Sequence, residues 1–168
     1  MKAIHEQAEL SEEKSSDLQK PNAISPTFCV AMLKGGSTIK LEGKVEEFLS
    51  TLKDADFAWI NVQVDNIKED GSKVASMLGF TPSIVLELES QRFSGYDDHT
   101  TELGLLLPAV RVERLEVEMN KLIILMKSNI VVTIHGEHVT RLVKFARYAV
   151  TFFKKVPKNL DDVDKISL

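Results

Sequence analysis

The stretch Leu115 to His135, LEVEMNKLIILMKSNIVVTIH, constrains the chain more than any other part of it. Leu115, Val117 and Met119 alternate with Glu116, Glu118 and Asn120, the period of two expected of a strand with one wet face. The run LIILM follows, and Ile130 to Ile134 answers it after Lys127-Ser128-Asn129. β-Branched residues are dense on both sides and the intervening tripeptide is short, polar and turn-forming, so an antiparallel hairpin is predicted. Two strands alone are at best marginally stable in water, and the other segments must pack around them.

A chain of 168 residues, 43% hydrophobic, can bury one sizeable core but is short for two ordinary domains. Its 25 acidic and 21 basic residues leave a net charge of −4, so no global positive field gathers nucleic acid or an anionic membrane surface. Cys29 is the single cysteine and forms no intrachain disulfide, and no apolar signal core opens the sequence. A reducing, cytoplasmic setting is expected. Apolar runs such as Leu103 to Val110 are far shorter than the roughly 20 residues a membrane helix needs, so a soluble chain is expected.

Residues 1–26 are rich in Glu, Ser, Lys and Gln and end in Pro21 and Pro26, the composition of a mobile tail. From there to residue 156 a single α/β domain is expected. TFCVAML (27–33) predicts a strand, Lys34-Gly35-Gly36-Ser37 a turn, and Thr38 to Leu41 the returning strand. Val45, Phe48, Leu49 and Leu52 fall at i, i+3, i+4 and i+7 and predict a helix with one buried face. FAWINVQV (57–64) reads as a central strand that buries Trp59. Asp70-Gly71-Ser72 offers caps for a short helix carrying Val74, Met77 and Leu78, which Gly79 stops. Thr81-Pro82 starts another helix as N-cap and first turn. Gln91 to Thr101 has no period and predicts a loop or an edge ribbon, and Leu103 to Val112 returns to strand, with Pro108 implying an edge position or a bulge. A last helix is predicted from about Glu137 to Lys155. The fold class is therefore α/β, a mixed sheet with helices packed on both faces, its later strands forming an antiparallel meander.

Chemistry-bearing motifs are sparse. His135-Gly136-Glu137-His138 has a ligand-like spacing, but Gly136 interrupts any helix that would align the rings, so a strand end and helix start are expected. Cys29 lies in an apolar strand without a base and is expected in the core. Asp97-Asp98-His99 has adjacent residues that point to opposite faces of a strand, and a solvated loop is expected. Neither GxxxxGK[ST] nor GxGxxG occurs. No nucleophile and base converge, and a non-enzyme is expected. In the last helix Val139, Leu142, Val143, Ala146, Ala149, Val150 and Phe153 share a core-facing arc, while Phe145, Tyr148 and Phe152 form a second ridge flanked by Arg141, Lys144 and Lys155. That ridge is either a set of aromatics lying over loops or a docking surface for a partner.

Several of these segments resemble the soluble domain of CorA-type magnesium transporters. NKLIILMKSNIVVTIHGE is similar to the family's strand, Lys-Asn turn and strand ending in T-x-H/Q-E. FAWINV resembles the family's WIDL strand, with Asn61 in place of Asp. SKVASMLGFTPSIVLELE resembles the helix pair around FxLHP, and Gln91-Arg92 falls near the family's QRPK, with Phe93 and Ser94 replacing Pro and Lys. The resemblance spans roughly 57–155. It implies the cytoplasmic regulatory domain of a magnesium or cobalt ion transporter on the cytoplasmic side of the cell membrane, working as a pentamer of identical subunits and performing no catalysis. Membrane contact would come only through C-terminal helices with a Gly-Met-Asn signature, absent here, and 157–168 would be the entrance to the next family helix of a truncated chain.

The resemblance also implies a regulatory divalent-ion site between subunits. The family's Glu-Asp pair falls on Leu86 and Glu87, so only the second position keeps a carboxylate, and Glu89 lies two residues on. Glu87 and Glu89 are accordingly the metal candidates, with magnesium bound weakly or not at all. Magnesium takes hard oxygens and retains several waters, so one or two carboxylates per subunit suffice when a neighbour supplies another. The alternatives are a solvated helix face that happens to carry two glutamates and, for the whole chain, a free-standing α/β ligand-binding or assembly module with no membrane role.

Overall fold

The structure, a computed structural model, describes residues 26–155; the rest of the tail expected over 1–26 and the segment expected over 157–168 lie outside the described residues. Phe28–Leu33 (β1) turns through Gly35 and Gly36, both at positive φ, into Thr38–Glu42 (β2). Val45–Leu52 (α1) buries Val45 and Phe48 and leaves Lys44, Glu46 and Glu47 exposed, as the helical spacing predicts. Ala55–Gln63 (β3) follows, with Trp59 buried.

Glu69–Met77 (α2) starts before the Asp70-Gly71-Ser72 segment expected to cap it. The first turn is closed upstream by Asn66, whose Oδ1 accepts the Glu69 N–H at 3.2 Å. Gly71 serves packing instead: a Cβ there would stand 3.3 Å from Val85 and 3.4 Å from Ile134, so the missing side chain lets α2 approach its neighbours. Pro82–Ser90 (α3) begins with Thr81 at the N-cap and Pro82 in the first turn. Gly95–Asp98 (β4) is the short edge ribbon. Leu103–Glu113 (β5), Glu116–Lys127 (β6) and Ile130–His135 (β7) form the meander. Thr140–Phe153 (α4) starts later than expected, because Val139 is outside helical geometry and its N–H donates to the Gly136 carbonyl.

One seven-stranded sheet has the order β2-β1-β3-β7-β6-β5-β4. Among the described residues every pairing is antiparallel except β3 with β7. Alternation divides the core in two. Cys29, Ala31, Ile60, Val62, Val132, Ile134, Ile123, Leu125 and Leu106 face α1, α2 and α3, while Phe28, Val30, Met32 and Trp59 face α4 through Ala146, Ala149 and Phe153. Helices thus lie on both faces of a mixed sheet.

β5 and β6 pair along their whole length to a two-residue turn between Glu113 and Glu116. The outer edge of β5 is paired with β4 only at Leu103 to Leu106, so Pro108 sits where its missing N–H removes no β4 bond. Beyond this point the ribbon projects. Val110, Val112, Val117 and Met119 are exposed and Leu115 at the tip is 97% exposed, so the alternation that predicts one buried face there marks a ribbon bare on both.

Candidate functional site

α3 is seated by Ile84, Val85 and Leu88, all fully buried. β5 approaches it at Gly104, where a Cβ would lie 2.6 Å from Leu88 Cδ1 and 2.9 Å from Ile84 Cδ1. At the start of the helix the buried Glu102 carboxylate accepts the Thr81 N–H at 3.1 Å through both oxygens, an acid placed at the positive helix end. At the other end Lys121 from β6 donates to the Glu89 carbonyl and pairs with its carboxylate at 3.0 Å. Helix position and both termini are therefore fixed from the meander.

Glu87 and Glu89 are two residues apart on α3 and point about 200° apart around its axis. Glu89 is held by Lys121. Glu87 is exposed and offers a hard carboxylate oxygen on the other side. The pair does not converge on one ion within the chain. Glu87 leaves a carboxylate oxygen open to solvent, whereas the carboxylate of Glu89 is engaged by Lys121.

Glu87 instead meets two residues that the sequence places in a solvated loop. Asp97 on β4 and His99 just beyond it are i and i+2 and so share a face. His99 Nε2 lies 2.9 Å from Asp97 Oδ2 and 4.0 Å from Glu87 Oε2, and Nδ1 lies 3.8 Å from Glu102 Oε1. The turn is closed by the His99 N–H donating to the Glu102 carbonyl at 2.9 Å. The sequence signal is the Asp-x-His spacing; Glu87 could be added only by tertiary packing.

Phe145, Tyr148 and Phe152 stay half-exposed on α4 while Val139, Ala146, Ala149 and Phe153 are buried; the Val143 side chain lies outside the described residues. The ridge borders the core instead of opposing it, because Phe145 packs on Trp59 at 5.7 Å and stacks on Phe152 at 5.3 Å. On the same face of the sheet the cross-strand pairs Leu105–Ile124 and Leu107–Leu122 are only partly covered. A groove of about 350 Å³ runs between the β5–β6 ribbon and the start of α4, lined in part by Pro108, Val110, Leu122, Val139 and Leu142. Arg111, His138 and Arg141 also line it, so the groove is apolar along its floor and basic at its rim.

His135 and Cys29 take no part in this surface. His135 is fully buried, and burial holds its imidazole below the ordinary range against an opposing hydrogen bond to the Gly136 carbonyl. Burial pushes the Cys29 thiol up to about 12. Among the described residues no helix is long and apolar enough to cross a membrane.

No protein-family model and no curated protein matches the sequence. Among solved structures the chain is similar to the complete CorA magnesium transporter from Methanocaldococcus jannaschii, at 18% identity and a TM-score of 0.54 over 74% of this chain and 37% of that one. It is also similar to the soluble domain of CorA from the same organism, at 17% identity and a TM-score of 0.48 over 79% of this chain and 48% of that one. The chain thus spans less than half the length of either. The seven-stranded mixed sheet with α1–α3 on one face and α4 on the other is a CorA-like fold.

Proposed function

We propose that this chain is a cytoplasmic regulatory domain of a CorA-like magnesium or cobalt transporter, assembling with copies of itself and gating a membrane pore that these residues do not form. The CorA-like fold across 74% of the chain is the observation that carries this reading. Glu87 supplies one hard oxygen to a divalent ion shared between copies, and Glu89 joins it when Lys121 lets go. Phe145, Tyr148 and Phe152 dock against a second copy. Burying one aromatic is worth about 1.5–3 kcal/mol, and association costs several kcal/mol of lost freedom, so three half-exposed rings support weak association only. Regulation is linkage: ions that bind the assembled, closed arrangement better than the open one shift the population toward closure, and their loss releases it. No catalytic step is involved.

Sedimentation velocity of the chain with and without millimolar magnesium tests the proposal. Association that grows with magnesium and is lost in Glu87→Ala supports it. A monomer indifferent to magnesium at every concentration favours a free-standing module.

A further inference from the structure

We propose that Glu87, Asp97 and His99 form a site for a borderline transition-metal dication of the zinc class, complete within one chain. It shares Glu87 with the magnesium role above but does not depend on it. Three elements contribute one donor each: α3, β4 and the β4–β5 turn. Their ligand atoms all lie within 4.8 Å of one another. A tetrahedral ion with ligands at 2.0–2.1 Å separates them by about 3.3 Å, and the observed 2.9 Å and 4.0 Å from His99 Nε2 fall on either side of that edge. The exposed Glu87 side chain can close the longer edge, and a few tenths of an ångström between Asp97 and His99 open the shorter one.

Charge argues for a cation independently of spacing. Glu87, Asp97 and Glu102 surround one imidazole, and among the described residues no lysine or arginine pairs with any of them. The Glu102 side chain is only 4% exposed and that of Asp97 20%, so their charge is partly withdrawn from water. The Thr81 N–H and the imidazole compensate Glu102 and Asp97 only in part, and a dication among three carboxylates adds to that compensation.

The imidazole is also presented as a ligand. Its Nδ1 faces Glu102, which the Thr81 N–H holds in place, and its Nε2 faces the two other carboxylates. A ligating histidine is commonly oriented by a carboxylate at its second nitrogen, and Glu102 stands on that side at 3.8 Å, a small shift from hydrogen-bond distance. One imidazole with two carboxylates suits zinc-class ions, whereas magnesium prefers an all-oxygen shell. The Glu87 side chain is 55% exposed, so the open side of the site leaves room for water as a further ligand.

The test is calorimetry of the full chain with zinc chloride in chelator-free buffer, repeated with cobalt(II) for its visible absorption bands. One zinc per chain is expected, with affinity reduced at least tenfold by His99→Gln and by Asp97→Asn, left intact by His138→Gln, and not competed by millimolar magnesium. The tetrahedral-type cobalt spectrum should disappear in His99→Gln, while the metal-free melting curves of both variants superimpose on that of the parent. Absence of stoichiometric zinc uptake, or uptake that both variants leave unchanged, overturns the proposal. Magnesium-dependent association should survive His99→Gln, so this site and the assembly can fail separately.

Discussion

Asn61 on β3 and His135 on β7 meet in the middle of the sheet, with Asn61 Nδ2 3.0 Å from His135 Nε2 and both side chains fully buried. The Gly136 carbonyl, 2.7 Å from Nδ1, can only accept, so Nδ1 carries the proton and Nε2 receives the Asn61 N–H. The second Asn61 N–H goes to the Pro26 carbonyl at 2.7 Å. Asn61 Oδ1 accepts the Thr133 hydroxyl at 2.6 Å, and Thr133 accepts the Trp59 indole N–H at 3.1 Å. The Asn61 N–H keeps its ring acceptor only while the imidazole is neutral, since a protonated Nε2 would face that donor at 3.0 Å. The His135 pKa lies below its ordinary 6.5 in the folded chain because burial disfavours the cation. The unfolded chain therefore binds the extra proton first, and stability should be complete above pH 6.5 and fall as pH drops below it toward the folded value. Urea unfolding across that window checks this, and the fall should flatten in His135→Gln. Asn61→Ala should cost about 1–3 kcal/mol at neutral pH, because it strands buried donors and acceptors.

Gly104→Ala tests how α3 is seated. The added Cβ would meet Leu88 and Ile84 at under 3.0 Å, and both are fully buried. A loss of about 1–3 kcal/mol is expected from overpacking. The same displacement should carry Glu87 away from His99. Denaturant midpoints check the first effect; a substitution with no cost would mean that α3 rides loosely on β5.

Phe152 and Phe153 are neighbours with opposite duties. Phe153 is buried and packs on Phe57 at 5.4 Å, so Phe153→Ala should cost about 3–5 kcal/mol. Phe152 is half-exposed and stacks on Phe145 alone among the described rings, a contact worth about 0.5–1.5 kcal/mol. Phe152→Ser should leave the thermal midpoint nearly unchanged and weaken self-association. Equal losses of stability would place Phe152 in the core.

Cys29 should be inert. Its thiol is fully buried and raised to about 12, so almost no thiolate exists near neutrality. A disulfide-exchange reagent should label it only as fast as the chain unfolds, and rapid labelling of the native protein would show that β1 opens locally.

Much of the fold was legible because local chemistry and tertiary demand agree. Lys127-Ser128-Asn129 reads as a turn, and the chain reverses there with Ser128 at φ +46°. Thr81-Pro82 reads as a helix start and is one. The failures lie where distant partners decide. Asp70-Gly71-Ser72 has the composition of a cap, yet Gly71 is small because α2 must approach Val85 and Ile134. Val117 and Met119 alternate as a half-buried strand should, but pattern cannot reveal that no described element covers that end of the ribbon. Glu87, Asp97 and His99 come from a helix, an edge strand and a turn, and only the packing of α3 on the meander brings them together. Helix spacing alone separates the directions of Glu89 and Glu87, but only packing shows that Lys121 takes Glu89.

The parallel pairing of β3 with β7 also shapes how the chain finds its fold. The antiparallel hairpins join strands adjacent in sequence and can form early, whereas Ala58 and Ile130 must meet across the whole segment 64–129. Closing so long a loop is entropically costly before any contact rewards it. Because Trp59, Thr133, Asn61 and His135 span this seam, their hydrogen bonds complete only when an N-terminal half and a C-terminal meander dock. The rate of folding is then governed by the joining of two partly formed halves.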